Sequence, residues 1–349
     1  MSGGGTGGHI YPAIAIANQI KKEFKEAQIL FVGTERGLEN EIVPANGYDI
    51  KTITVSGFNR KKLMKNFGTV LKAMKGLREA REIIKEFKPD IVIGTGGYVC
   101  GPVVFTASIM GIKTFIHEQN ALPGVTNKIL CKFADVTFIS FEESEKYFNK
   151  AKRVVLSGNP LREEFIEYTE AIKSQQSGSF KVICFGGSRG AEKINASMLK
   201  VLEVLNGIDD IELYFVTGRA HYDSILQEIE NRQIQLKENI HVLDYIHNMS
   251  EYMSASDLVI SRAGALTIAE VNALGKPAIL IPSPYVTGNH QYFNAKVVAD
   301  CGAAYIIEER ELSEEEFSKY RTNINIPSLG KLYCTYDRFL RVKKRFKII

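Results

Sequence analysis

Several chemistries are removed by what this chain lacks. It contains no Asp-x-Asp pair, so a divalent ion held by paired carboxylates is not indicated. No Lys-Ser or Lys-Thr follows its first glycine loop, which excludes the P-loop of nucleotide triphosphatases. The five cysteines, at 100, 131, 184, 301 and 334, are scattered without paired metal spacing. With no secretory signal ahead of the first glycines, they point to a reduced, cytosolic protein.

Uninterrupted apolar runs are also wanting. Residues 91–112 carry no charge and are long enough to cross a bilayer, but Gly94, Gly96, Gly97, Gly101 and Pro102 break them. They read instead as a buried strand at 91–94, a turn over 95–101, and a helix opening with Pro102 at its first position.

The 349 residues exceed what one core usually serves, which predicts two domains. The formal charge of +4 is concentrated. Residues 331–349 carry seven basic residues against Asp337 alone, and residues 60–88 carry ten against three glutamates. Within the second block Arg60, Lys61, Lys62, Lys65, Lys72 and Lys75 interleave with Leu63, Met64, Phe67, Val70, Leu71 and Met74. That is the composition of a surface lying on an anionic membrane, although an ordinary amphipathic helix would look similar.

Short β-branched runs alternate with helical patterns throughout. Strands are expected at 28–33, 91–94, 113–117, 136–139 and 154–157, then at 181–186, 212–217, 240–243, 258–261 and 278–281. Such alternation predicts parallel sheets with helices on both faces. The polar stretch 173–179 reads as a surface loop, and Ser157-Gly158-Asn159-Pro160 as the interdomain turn. A weak internal repeat, a glycine loop leading into a helix at 2–23 and again at 181–205, predicts two Rossmann-like α/β domains facing a cleft.

The first loop, Gly3-Gly4-Gly5-Thr6-Gly7-Gly8-His9, offers backbone N–H groups at a helix start, an anion site. His9 sets beside it the side chain that titrates near neutral pH, where it can act as a general base or orient the loop. Gly3, Gly5 and Gly8 also satisfy the dinucleotide spacing G-x-G-x-x-G, with Glu35 after a strand as the ribose ligand. Residues 186–191 form a second glycine loop containing Ser188, and a third cluster runs from Ser261 to Glu270. Glu270, a turn into its helix, suits two vicinal ribose hydroxyls, and Gln291 can pair with sugar hydroxyls as donor and acceptor. His117, at a strand end, reads as structural.

In order, the chain carries GGGTGGHIYP, GTGGYVCGP, HEQNALPGVTNK, GNPLREEF, GGSRGA, SRAGALTIAE and GNHQYFNA. Together, over residues 2–317, these resemble the MurG family: membrane-associated transferases of peptidoglycan synthesis that add N-acetylglucosamine from UDP-GlcNAc to undecaprenyl-diphosphoryl-MurNAc-pentapeptide. The resemblance implies a GT-B fold and an inverting displacement with no cofactor; the missing Asp-x-Asp pair, with helix N-termini after Ser188 and Gly264 to meet the leaving charge, predicts that no metal is essential. The resemblance places Arg162 and Ile246 near the uracil, Ser188 on the diphosphate and Glu270 on the ribose. Ala265, Leu266 and Thr267 would line diphosphate and sugar, with Ile268 and Ala269 continuing that helix. Gln291 and Asn120 would contact N-acetylglucosamine. Thr6, Gly7 and Gly8 would close the donor site from the first domain. Gly96, Gly97 and Tyr98 would meet the acceptor diphosphate.

The resemblance further implies an acceptor and membrane-side domain at 1–157, a donor domain at 158–318 and a peripheral position on the cytoplasmic face of the cell membrane. Two departures stand out. Members of the family begin with an apolar strand before the glycine loop, whereas here the loop starts at Gly3, so the expectation is a first sheet without its central strand. Residues 319–349 read as a divergent basic tail. A nucleotide-sugar-binding protein without turnover and, more distantly, an NAD-dependent oxidoreductase are the alternative readings.

Overall fold

The computed structural model describes residues 1–55, 67–171, 178–187, 190–205 and 210–312, with the side chains of 67–71, 169–171 and 203–205 left aside. The chain divides into two compact units, the first Met1–Leu161 and the second beginning at Arg162.

The first unit carries strands β1 (Ser2–Gly3), β2 (Leu30–Thr34), β3 (Asp49–Ile53), β4 (Ile91–Gly96), β5 (Lys113–Glu118), β6 (Val136–Ile139) and β7 (Val154–Leu156). Its helices are α1 (Gly7–Glu23), α2 (Glu39–Ala45), α3 (Phe67–Phe87), α4 (Cys100–Ile109) and α5 (Val125–Leu130). All strands are parallel, in the order β3-β2-β1-β4-β5-β6-β7. Successive residues of β2 feed opposite faces, as a pleated strand requires. Phe31 joins Ile10, Ala13, Ile14 and Ala17 of α1 and Val43 of α2. Val32 joins Ala80 and Ile84 of α3 and Val103, Val104 and Ala107 of α4. The i, i+3, i+4, i+7 spacing of the α1 residues is why that segment is helical.

In the second unit, α6 (Glu163–Ala171) precedes β8 (Phe180–Phe185), α7 (Glu192–Leu205), β9 (Ile211–Val216), α8 (Tyr222–Asn231) and β10 (Ile240–Leu243). There follow α9 (Met249–Ala255), β11 (Leu258–Ser261), α10 (Ala265–Ala273), β12 (Ala278–Leu280), α11 (His290–Asp300) and β13 (Ala304–Ile306). These strands too are parallel, ordered β10-β9-β8-β11-β12-β13. The core joins Val182 and Cys184 of β8 and Leu213 and Phe215 of β9 to Ile194, Met198, Leu199 and Leu202 of α7. Both sheets thus begin with the doubly wound order, reversing direction between their first and fourth strands.

Three expectations need correction. The first sheet does have its central strand. Ser2 pairs with Val32 on one side and Gly94 on the other, and Gly3 pairs with Gly96. Two residues suffice because side chains clamp them: Ser2 Oγ donates to Val32 O at 3.1 Å, and Cys100 Sγ donates to Ser2 O at 2.8 Å. Second, Pro102 is the third residue of α4, not the first. Its missing N–H still falls among the four that a helix start leaves without intrahelical partners. Third, β3 and β13 were not expected. Each is an edge strand with one neighbour: β3 (DIKTI) carries Asp49 and Lys51 and so lacks the apolar run of a central strand, while β13 (AYI) is apolar but only three residues long. The loop expected at 173–179 lies largely outside the described residues.

Candidate functional site

In each sheet, the turns that follow the first and fourth strands are neighbours, because those strands pair. Ligands of open α/β sheets bind at this reversal, beyond the carboxyl ends of the strands.

In the first unit the two turns are residues 4–6 and 97–99. Gly4 N donates to Gly96 O at 3.3 Å. Gly97 has φ +84°, and a Cβ there would lie 2.3 Å from Gly4 O, so only glycine permits the approach. His9 is not in the loop but in the first turn of α1, which starts at Gly7 with Thr6 as its N-cap residue. Its ring packs over the second turn: a Cβ on Gly96 would meet His9 Cδ2 at 2.6 Å and Nε2 at 2.9 Å. Thr95 Oγ1 donates to His9 O at 2.7 Å and fixes the start of the helix against β4. His9 Nδ1 lies 3.2 Å from Gly4 O and 3.3 Å from Thr6 Oγ1. A carbonyl only accepts, so the proton belongs on Nδ1 and the proton-accepting lone pair on Nε2.

The acidic residue serving this loop is Glu39, which sequence reasoning missed. Glu35, expected as a ribose ligand under the dinucleotide reading, is exposed. Glu39 is fully buried and accepts from Gly5 N at 3.1 Å, Thr34 N at 2.9 Å and Thr34 Oγ1 at 2.8 Å. Burial pushes its pKa up, but the backbone and hydroxyl donors outweigh that and hold it below the ordinary glutamate value.

At the end of β5, His117 Nε2 donates to Gly158 O at 2.9 Å and Nδ1 accepts from Gln119 Nε2 at 3.1 Å. Both ring nitrogens are committed, and burial lowers the pKa, keeping the ring neutral. Gln119 Nε2 also donates to Thr95 O at 2.7 Å, tying this network to the turn beside His9. Asn120 is oriented by Glu118, whose carboxylate accepts from Asn120 N (3.0 Å), Asn120 Nδ2 (3.1 Å), Gly124 N (3.0 Å) and Asn127 Nδ2 (2.9 Å). The HEQN motif gives no hint that its glutamate is the hub.

In the second unit, a Cβ on Gly190 would lie 2.1 Å from Thr217 O, which seats the second glycine turn on the end of β9. Ser188 lies outside the described residues. The turn after β11 leads through Gly264 into α10. Ala265 and Ile268 point into the core, so they can offer a ligand only backbone, while Leu266, Thr267 and Ala269 are part-exposed. Arg162 and Glu270 meet: Nε and Nη2 donate to Oε1 at 3.1 and 3.0 Å. Arg162 Nη1 also pairs with Glu164 Oε1 at 2.6 Å. Burial raises the Glu270 pKa, Arg162 opposes this, and the Glu164 charge adds to the rise, leaving the group above the ordinary value. Ile246, after β10, is buried. Gln291, the second residue of α11, accepts from Ser283 N at 2.8 Å through Oε1, an orientation that turns its NH2 donors outward from that contact. Arg262, which sequence reasoning did not single out, donates from Nη1 to Ile281 O and pairs through Nη2 with Glu309, bracing the turn.

Two doubly wound units, each with a glycine turn at its strand reversal, and in the second a largely desolvated carboxylate on the helix after the fourth strand, define a two-domain glycosyltransferase of the GT-B class. The glycosyltransferase family 28 N-terminal domain matches residues 1–139 and its C-terminal domain residues 181–331. The chain belongs to glycosyltransferase family 28, in its MurG branch. Over 323 residues it is 51% identical to the UDP-N-acetylglucosamine–N-acetylmuramyl-(pentapeptide) pyrophosphoryl-undecaprenol N-acetylglucosamine transferase of Thermoanaerobacter sp. (strain X514), covering 91% of this chain and 88% of that one. It is 46% identical over 334 residues to the like-named protein of Caldanaerobacter subterraneus subsp. tengcongensis, covering 94% and 91%. The crystal structure of Acinetobacter baumannii MurG superposes with a TM-score of 0.76 at 27% identity, covering 99% of this chain and 94% of that one.

Proposed function

We propose that the chain transfers N-acetylglucosamine from UDP-GlcNAc to the 4-hydroxyl of MurNAc in undecaprenyl-diphosphoryl-MurNAc-pentapeptide, with inversion at the anomeric carbon. The observation that carries the chemistry is the placement of His9, with Nδ1 on Gly4 O and Nε2 against Gly96. As the acceptor oxygen bonds to the anomeric carbon, its proton passes to Nε2. The bond from that carbon to the diphosphate oxygen breaks with its electron pair, releasing UDP. The N-terminus of nine-residue α10 turns the positive end of its dipole to the departing charge, and the proposed step draws on no cofactor or metal ion.

The units divide the work as the motifs suggest. In the second, Glu270 takes the ribose hydroxyls, Arg162 and Ile246 frame the base, Leu266 and Thr267 follow the diphosphate, and Gln291 donates to the sugar. In the first, Gly96, Gly97 and Tyr98 receive the acceptor diphosphate, and Asn120, Thr6, Gly7 and Gly8 are the substrate contacts that the motifs assign to this unit.

The lipid acceptor calls for a membrane surface, and the first unit supports one at the cytoplasmic face. Ile109 on α4, Val125 and Ile129 on α5 and Met74 on α3 are 65%, 47%, 54% and 64% exposed, on helices that pack together. Lys128 on α5, Lys132 just after it and Lys113 at the start of β5 lie near these helix ends in sequence, each able to contribute about 1 kcal/mol at an anionic leaflet. Residues 60–66 of the basic block lie outside the described residues, as does the 319–349 tail. No described helix is long and apolar enough to cross a membrane.

Incorporation of labelled GlcNAc from UDP-GlcNAc into the lipid acceptor tests the reading. Donor binding without incorporation would favour a non-catalytic homologue, and thermal stabilisation by NAD instead of UDP-GlcNAc an oxidoreductase.

A further inference from the structure

One peptide unit, between Gly4 and Gly5, is engaged at both ends. Its N–H donates to Glu39 Oε2 at 3.1 Å, and its carbonyl stands 3.2 Å from His9 Nδ1. A buried carboxylate and the imidazole are therefore joined through a single amide, Glu39 to Gly5 N–H, Gly4 C=O to His9 N–H. Buried anions are costly unless paired. Among the described residues no cation pairs with Glu39; N–H and O–H donors from Gly5 and Thr34 stabilise it, together with its own backbone N–H.

The packing makes this arrangement specific. A Cβ on Gly4 would fall 2.7 Å from Glu39 Oε1, one on Gly33 2.6 Å from Cγ, and one on Gly37 2.1 Å from Oε2. Three glycines on three segments leave space for this carboxylate and little else. A loop meant only to cradle an anion would gain nothing from a carboxylate that takes one of its N–H groups. Gly5, at φ +84°, turns its N–H toward Glu39 while the preceding carbonyl faces His9.

Hydrogen-bond chains polarise one another, each link strengthening the next by roughly 10–30% in a low-dielectric setting. An anion on the amide N–H makes the carbonyl at the other end a better acceptor. That favours the tautomer with the proton on Nδ1, and it favours the imidazolium that forms when Nε2 takes a proton.

We propose that Glu39 is a positioning residue for the transfer reaction, acting through the Gly4–Gly5 peptide to fix the tautomer of His9 and raise its basicity. The proposal rests on His9 being the base, but its test does not.

The titratable groups facing this relay are few. From α1 come His9 and Tyr11, whose ring packs against Gly7. Tyr98 stands 3.5 Å from the position of a Cβ on Gly5. Cys100, from α4, is buried with its thiol pushed up to about 11 and stays neutral. From α2 there is Glu39 itself, while Glu35 and Arg36 after β2 are exposed. The Met1 amine, donating to Leu30 O beside β1, is lowered by burial to about 6. Its titration would overlap that of a histidine in a rate profile, so the decisive readout is His9's own resonance.

The test is two-bond ¹⁵N–¹H spectroscopy of the labelled full chain against pH, with His9→Ala giving the assignment. In the wild type the neutral ring should carry its proton on Nδ1, and an Nε2–H ring would overturn the proposal whether or not any variant folds. Glu39→Gln removes the charge and should lower the His9 pKa by about 1. The acid limb of kcat should follow it downward, with plateau kcat reduced roughly tenfold and the KM for UDP-GlcNAc within about twofold. Thr34→Val keeps the charge and removes one competing donor, so it should shift the His9 pKa the other way. If either folded variant leaves the pKa and tautomer unmoved, Glu39 only packs the loop and the proposal fails. Wild-type turnover in His9→Ala would instead sink the general-base reading, leaving the spectroscopic result to stand by itself.

Discussion

Arg162 and Glu270, separated by 108 positions in sequence, meet through two donors on one carboxylate oxygen, Nε at 3.1 Å and Nη2 at 3.0 Å from Oε1. The pair leaves the carboxylate only 12% exposed and held by a guanidinium that itself answers to Glu164. The carboxylate proposed for the ribose hydroxyls thus stands as a partly desolvated anion, less stable than the same group in water.

Its pH dependence has a definite sign. The folded Glu270 pKa is raised, chiefly by burial, so its contribution to stability is complete below the unfolded carboxylate range and is lost as pH rises through the folded value. At neutral pH Glu270→Gln should therefore melt no lower than the wild type. The same variant should lose the stabilisation given by UDP-GlcNAc, with KM raised roughly thirtyfold for about 2 kcal/mol of charged hydrogen bonding. In the wild type, donor affinity should weaken as pH falls through the raised pKa. Melting curves with and without donor over a pH series check this, and a destabilised variant that still responds to donor would contradict it.

Removal of the His9 imidazole takes away the proposed proton acceptor but touches none of the residues proposed for the donor in the second unit. His9→Ala should lower kcat by about 10²- to 10⁴-fold with the donor KM little changed. Steady-state kinetics with lipid acceptor, beside a circular dichroism spectrum showing intact fold, decide the matter.

Gly97 and Gly101 stand four residues apart and should respond oppositely to the same methyl group. At Gly97, φ is +84° and the new Cβ would collide with Gly4 O at 2.3 Å, so Gly97→Ala should cost at least about 2 kcal/mol. At Gly101, inside α4, the Cβ meets nothing within 4 Å, and Gly101→Ala should add about 0.5 kcal/mol. Denaturant unfolding of both variants reads the difference directly.

Ile109 and Ile129 are more than half exposed. Replacing both with Asp should leave folding stability within about 0.5 kcal/mol, as for ordinary surface changes. Sedimentation with vesicles containing anionic lipid should show binding sharply reduced. Undiminished binding would direct attention to the basic residues at 60–66 instead.

The order of elements was legible in the sequence because central strands read as apolar runs, VICF in β8 being buried on both faces and LYFV in β9 largely so. The glycine turns were equally plain, and so was the family, which rests on motifs spread along most of the chain. β1 was not legible. A two-residue strand shows no periodicity, and its place at the centre of the sheet depends on Val32, Gly94 and Gly96, far along the chain. The edge strand β3 escaped notice because one partner demands little apolar surface, and β13 because three residues are too few to show a period.

The site divides along the same line. Sequence by itself determined which residue types were available: a histidine beside glycines, a glutamate a turn into a helix, an arginine after a turn. Tertiary structure alone decided their partners. It chose Glu39 over Glu35 to hold the glycine loop, gave Glu118 the task of orienting Asn120, and paired Arg162 with Glu270. Hydrogen bonds between side chains and distant backbone depend on where strands end in space, and local pattern carries no record of that.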